Sequence, residues 1–383
     1  MSVEKILAEL VRLNSISSTS NIEMISFLSA RVAAFGLQSR LFPYMDEHGI
    51  EKVNMIAVTG NGLPDLEKID VELALVGHTD TVPFDHAWTE ALCLTERDGK
   101  LYGRGACDTK GFIAAALTAV EQTDLQRLTR PLALVFTADE EIGCLGAKRL
   151  ADARALRARY SIVGEPTSLQ PMRAGKGYCL AEIILRGREG HSAYPALGAS
   201  AIFRAARLIA RIEKIAEELK NDTRAEFEPP YTTLNVGLIN GGTAKNIIAG
   251  ECRFTLEWRP VPGQNAEHLL NLIRAGVDDE RSRDEDFDCT LNVIRLDEGM
   301  ETSSVSGLVR LLEETTGRVA GTIAFGTEAP QMIELGAEAV VLGPGNIRVA
   351  HRTDEFVPVA ELHECVRVLS RAIEHFCMSE REV

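Results

Sequence analysis

Apolar positions along the chain fall into two rhythms. The opening stretch MSVEKILAELVRLNSIS repeats them at helical spacing and predicts an amphipathic helix. Up to about Val120 the predicted order is helix, helix, strand, strand, strand, helix. NMIAVTG and VELALVGH are short apolar runs closed by turn residues, which suits buried strands. GFIAAALTAVEQ is apolar on most of its surface and predicts a buried helix. PLALVFTADEE and ARYSIVGEP predict two further buried strands. Strands alternating with helices point to an α/β layer on a largely parallel sheet.

After EPTSLQPMRAGKG the rhythm changes. YCLAEIILRGREG alternates along its length, as a half-buried strand does. GASAIFRAARLIARIEKIAEEL is a long amphipathic helix. TTLNVGLING and NIIAGECRFTLEWRP predict a hairpin around Gly241 and Gly242. NAEHLLNLIRAGVDD is a second helix and FDCTLNVIRLD a last strand. The order is βαββαβ, an antiparallel sheet backed by two helices. The expectation is therefore a domain of residues 174–297 inserted into a first domain of residues 1–173 and 298–383. The first domain resumes at SSVSGLVRLLEETTG and finishes with AEAVVLGPG and a C-terminal helix. No internal repeat or low-complexity tract interrupts either part.

Composition narrows the function. The chain has 383 residues, 45% of them hydrophobic and 25% charged, enough for a large core and against wholesale disorder. A formal net charge of −15 argues against nucleic acid or an anionic membrane surface as a partner. No apolar run approaches a membrane span, and no cationic start precedes an apolar signal core. The eight cysteines form no CxxC pair, so free thiols in a reducing cytoplasm are expected.

In open α/β sheets, ligands gather beyond the carboxyl ends of the strands. VELALVG ends on His78 and Asp80, PLALVFTAD on Asp139, Glu140 and Glu141, and ARYSIVG on Glu165. The distal AVVLGPGNIRVAH leads to His351, and the glycine-rich LYGRGACDTKG carries Asp108 at a helix entrance. Imidazoles and carboxylates in this combination suit zinc, and also cobalt or manganese. Each residue also has a plain structural alternative: a core histidine, a solvated acidic turn, a helix N-cap at Asp108. It is the convergence of separate strand ends that favours a metal site. Other chemistries find less support. There is no G-x-S-x-G elbow, no cysteine beside a base and no Walker loop, and GRGACDTKG lacks phosphate-loop spacing.

GHTDTVP, YGRGACDTKG, TADEE, GEP and the distal GPG…AHRTDE together resemble the dinuclear zinc peptidase and deacylase family, in order and over essentially the whole chain. The resemblance implies a zinc-aminopeptidase-like three-layer α/β catalytic domain with an inserted ferredoxin-like α+β domain that makes a homodimer. It implies two divalent metal ions per subunit, with His78 and Glu165 on the first, Glu141 and His351 on the second, and Asp108 bridging. Asp80 would orient His78 through its other ring nitrogen. Glu140 would be the general base that takes a proton from the attacking water and passes it to the leaving amine. His191 in GREGHSAYP would reach a neighbouring subunit's site. Arg259 in LEWRP and Asn246 in TAKN would bind substrate, the guanidinium suiting an α-carboxylate. Thr109 departs from the family's usual methionine after the bridging aspartate, and Lys176 lies near the domain junction without an assigned role.

The finer phrases EPTSLQP, PPYTTLNVGLINGGTAKN and GPGNIRVAHRTDE are most similar to the acetylornithine-deacetylating branch of that family. The implied reaction is hydrolysis of the amide of an N-acyl amino acid, with N2-acetyl-L-ornithine as the substrate. Desuccinylation of an N-succinyl diamino acid and broader aminoacylase activity are the alternatives, and both arginine biosynthesis and a catabolic role stay open. A binding protein that had lost its metals should lack Glu140 or a ligand, and the full set is present.

Overall fold

The computed structural model describes residues 1–59, 69–284 and 286–378. Gly60, which closes the NMIAVTG run, lies outside them. The chain forms two compact units. One comprises Met1–Arg173, Thr302–Gly321 and Thr327–Val383. The other comprises Ala174–Glu301 and Thr322–Gly326.

The first unit is built on strands Gln38–Met45, Glu51–Val58, Leu132–Thr137, Ile69–His78, Leu156–Val163 and Glu338–Val341, lying side by side in that order. The first two pairings are antiparallel, and the last three are parallel. The central strands are buried on both faces, which is why they read as continuous apolar runs. Helices Val3–Arg12, Lys110–Gln122, Gly307–Thr316 and Val359–Ile373 pack together, and Leu145–Asp152 packs with Ala329–Glu334. In the first helix Val3, Ile6, Leu7, Leu10 and Val11 are buried, the stripe its spacing predicts.

Register fixes where the strands deliver their ends. His78 pairs with Thr137, and Val76 with Val163. The residues that follow each strand therefore emerge at one edge of the sheet. At that edge Gly164 meets the ring of Phe112, and a Cβ there would lie 2.2 Å from it. Only glycine permits that approach, which packs the segment leading to Glu165 against the helix that follows Asp108.

The second unit has an antiparallel sheet in the order Thr233–Gly241, Glu251–Arg259, Tyr178–Arg186, Asp288–Asp297. Helices Ala201–Leu219 and Glu267–Arg283 cover one face, giving βαββαβ in ferredoxin-like order. Its core holds Trp258, Phe254, Leu256, Leu208, Ile212, Leu270 and Ile273. The hairpin is longer than a turn at Gly241 and Gly242. Ile247 and Ile248 pair instead with His191 and Gly190.

Candidate metal centre

Four of the predicted side chains meet at the sheet edge of the first unit. His78 Nε2 lies 3.0 Å from Asp108 Oδ1. His351 Nε2 lies 3.1 Å from Asp108 Oδ2 and 3.0 Å from Glu141 Oε2. One donor atom each from His78, Asp108 and Glu141 falls within a 4.8 Å cluster. The two oxygens of Asp108 thus face two different imidazoles, the disposition a bridging carboxylate needs. His351 reaches this position from a left-handed backbone, at φ 60°.

The electrostatics are those of too many carboxylates for the positive charge present. Burial pushes Glu140 up to about 8; His78 opposes this, while Glu141, Glu328 and Asp108 add to it. Burial, then Asp108 and Glu140, hold Glu165 well above the carboxylate range. Glu141 is raised by burial and Glu328 by burial to about 7. Burial pulls His78 down, but Asp108, helped by Glu140 and Asp80, outweighs it and the ring sits well above its usual value. Hydrogen bonds to Asp108 and Glu141 raise His351 to about 10. Asp108 alone moves down, because the two imidazoles more than offset its burial. Glu141 Oε1 is buried without a hydrogen-bond partner. A carboxylate–imidazole cluster with a free lone pair and protons held in place of cations fits divalent metal.

Asp80 departs from its expected contact. His78 Nδ1 lies 3.0 Å from the main-chain carbonyl of Asp80 and 3.8 Å from its carboxylate. The carboxylate instead accepts from the backbone N–H of Glu140 at 3.0 Å and of Glu141 at 3.3 Å, and from Ser17 Oγ at 2.7 Å. Asp80 therefore ties the histidine strand to the acidic turn. Glu140 also accepts from Cys144 Sγ at 3.3 Å.

The profile of Peptidase family M20/M25/M40 matches residues 74–375. An acetylornithine deacetylase of Myxococcus xanthus is 52% identical over 373 residues, 97% of this chain and 96% of the relative. One from Proteus mirabilis is 36% identical over 385 residues, at the same coverage. A solved M20 family metallo-carboxypeptidase from Sulfolobus solfataricus superimposes with a TM-score of 0.75 at 18% identity, over 98% of this chain and 99% of that one. The chain belongs to Peptidase family M20/M25/M40. As a member it is a metal-dependent amidohydrolase.

The M20 site also depends on residues to which sequence reasoning gave no role. Glu355 is 1% exposed, and its carboxylate accepts from Arg104 Nη1 and from the N–H groups of Cys107 at 2.9 Å and Asp108 at 3.0 Å. It holds the loop that presents Asp108. Thr109 donates from Oγ1 to the Gly164 carbonyl at 2.8 Å, bracing the residue before Glu165. Lys52 is buried against Asp139, with Nζ 2.9 Å from Oδ1. Glu355 closes the AHRTDE phrase, but nothing local marks the second of two adjacent acids in a polar run as buried.

Three predicted residues lie in the second unit. His191 is exposed, its Nδ1 accepting from the Ala193 N–H at 3.1 Å. The N–H of Ser192 donates to the Asn246 carbonyl at 3.1 Å, so His191 and Asn246 are neighbours. Arg259 donates from Nε to Glu257 at 2.8 Å and from Nη1 to the Ala324 carbonyl at 2.9 Å, and stacks on Tyr178. Lys176 Nζ donates to the carbonyls of Pro229 and Tyr231, each at 2.7 Å. All eight cysteines are free. Among the described residues no helix is long and apolar enough to cross a membrane.

Proposed function

We propose that this chain hydrolyses N2-acetyl-L-ornithine to L-ornithine and acetate, as a homodimer in the cytoplasm. The observation that carries the chemistry is Asp108, whose two oxygens face the imidazoles of His78 and His351 beside Glu140 and Glu141. The 52% identity to an acetylornithine deacetylase supports the substrate. Free cysteines fit the reducing compartment.

Two divalent ions, zinc before cobalt or manganese, would be held by His78 and Glu165, by Glu141 and His351, and by Asp108 between them. When bound, such ions supply Lewis acidity to the amide carbonyl and make water a better nucleophile. The chain's own residues supply the rest. Glu140 stands next to Glu141 in the acidic turn and is not itself assigned to a metal. As a carboxylate it can accept the water proton and return it to the departing amine. Asp80 fixes the 140–141 backbone while its carbonyl holds the His78 ring. Arg259 and Asn246 of the inserted unit bind the substrate, the guanidinium taking the α-carboxylate. His191 completes the site of the neighbouring subunit through the dimer that this unit forms.

A substrate panel tests this reading. Zinc-loaded protein is assayed against N2-acetylornithine, N-acetylcitrulline, N-acetylmethionine and N-succinyl-diaminopimelate. The expected result is the highest kcat/KM on acetylornithine. A preference for the succinylated substrate would replace it with the desuccinylase reading.

A further inference from the structure

A charged side chain sits behind the acidic turn where a hydrophobic one would cost less. Lys52 lies in the Glu51–Val58 strand and is 1% exposed. Its ammonium donates to the Ser17 carbonyl and to the Thr19 carbonyl at 2.8 Å, and lies 2.9 Å from Asp139 Oδ1 as an ion pair. Asp139, fully buried, accepts a hydrogen bond on its other oxygen, Oδ2, from Tyr44 Oη at 2.8 Å. Its backbone is left-handed, at φ 58°, immediately before Glu140. A non-glycine residue persists in that conformation when its surroundings over-determine it.

We propose that Lys52 is a positioning residue for the Glu140–Glu141 pair, locking the turn that carries them from two sides at once. This rests on the roles given above to Glu140 and Glu141. One route runs through Asp139, whose side chain is pinned and whose carbonyl accepts from the Leu145 N–H at 3.0 Å. The other runs through Ser17, whose carbonyl binds Lys52 while its Oγ holds Asp80, the acceptor for the 140 and 141 amides. Asn54, two residues on and so on the same face of the strand, completes the grip. Its side chain accepts from the Ala138 N–H at 2.9 Å and donates to the Gly146 carbonyl at 3.0 Å. A buried ion pair is a poor source of stability, and hydrophobic replacement is often neutral or better. Its use here is directional, because a point charge held by two fixed carbonyls and paired with one carboxylate sets where Asp139, and hence Glu140, can stand. Misplacing a reacting group by about 1 Å can cost on the order of 10²-fold in rate.

The test compares Lys52→Met, the charge-free pair Lys52→Met/Asp139→Asn, and Tyr44→Phe, all as full-length zinc-loaded protein. In Lys52→Met, kcat is expected to fall about 10²-fold with KM within about threefold. Zinc affinity, measured by chelator competition without substrate, should fall about tenfold as Glu141 shifts. The double variant removes both charges, so its thermal midpoint should recover toward wild type while kcat stays at least about tenfold low. A double variant that recovers kcat along with stability overturns the proposal, since Lys52 would then be structural only. So does wild-type zinc affinity together with wild-type kcat in Lys52→Met. If neither Lys52 variant folds, Tyr44→Phe decides: loss of one Asp139 hydrogen bond should lower kcat severalfold at unchanged KM, and an unchanged kcat overturns the proposal. Failure is separable from failure of the assigned reaction. A wild type inactive across the panel refutes that reaction, and the zinc measurement still judges Lys52.

Discussion

Glu355→Ala should be among the most damaging single changes in the first unit, although the residue is not a metal ligand. It removes three hydrogen bonds at once and strands the guanidinium of Arg104, which is 3% exposed. Breaking a buried pair from one side costs about 3–5 kcal/mol, because the remaining charge has no compensation. Arg104 keeps only a 3.3 Å contact to the Pro83 carbonyl and its place 5.5 Å from the Trp88 ring, so little offsets that loss. The N–H groups of Cys107 and Asp108 lose their acceptor too, at about 1–3 kcal/mol each if water cannot reach them. Taking about 4 kcal/mol as the net figure, the unfolding midpoint should fall by roughly 10 °C for a unit of this size. Metal content should drop with it, since Asp108 is held by this contact. Calorimetry and metal analysis of Glu355→Ala beside Arg104→Met/Glu355→Gln provide the assay. The double variant removes the stranded charge and keeps one acceptor for the loop amides, so it should lose only about 1–2 kcal/mol. A loss under about 1 kcal/mol in Glu355→Ala, or a double variant as unstable as the single, would refute the reasoning.

Three further outcomes follow from the site. Glu140→Gln should retain zinc while kcat falls about 10²–10⁴-fold, and a loss under about tenfold would assign the base elsewhere. In metal-free protein Glu140, raised to about 8, and Glu328, raised to about 7, hold protons that the unfolded chain releases near 4.5. His351, raised to about 10 from 6.5, acts in the same direction at higher pH. The folded state then binds more protons than the unfolded one from about pH 4.5 to 7, above which buried Lys110, lowered to about 7, gives up a proton that the unfolded chain keeps and opposes the trend, so stability should decline as pH rises through that window. Zinc should reverse the decline and release protons, read by calorimetry in buffers of different ionisation enthalpy; a midpoint that climbs with pH in chelated protein contradicts this. Finally, mixing inactive Glu140→Gln with inactive His191→Ala should restore activity after subunit exchange, because each mixed dimer holds one site with neither defect. Mixed dimers confirmed by mass but inactive would confine His191 to its own subunit or remove it from the reaction.

Much of this was legible because ligands in an α/β sheet must stand at strand ends. VELALVGH, LALVFTADEE and YSIVGEP each announce a buried strand by apolar content and then stop on groups that cannot be buried unpaired. Parallel pairing, with His78 beside Thr137 and Val76 beside Val163, turns three separate stops into one cluster. The long hairpin was less legible. The apolar residues Ile247 and Ile248 look like the start of the returning strand, and only their pairing with Gly190 and His191, more than fifty residues earlier, takes them out of it.

The supporting residues were hidden for a reason that belongs to the fold. Lys52 opens EKVNMIAV as a charge at a strand start, which in most proteins faces water. It is buried because the strand runs beyond the end of its neighbour: pairing with Leu132–Thr137 begins only at Met55, opposite Phe136. Lys52 and Asn54 therefore overhang the place where the next strand turns away into Ala138, Asp139 and Glu140. The start of this strand, paired with Gln38–Met45 but not with Leu132–Thr137, supplies the polar groups that the turn after the latter requires. Asp80 follows the same logic, because a carboxylate within reach of two orphan amides gains two charge-assisted hydrogen bonds there. The imidazole beside it needs only one acceptor and takes the nearer carbonyl. Candidate ligands can thus be read from where strands stop, whereas the groups that aim them are set by how far neighbouring strands fail to coincide, a quantity that no local pattern of residues encodes.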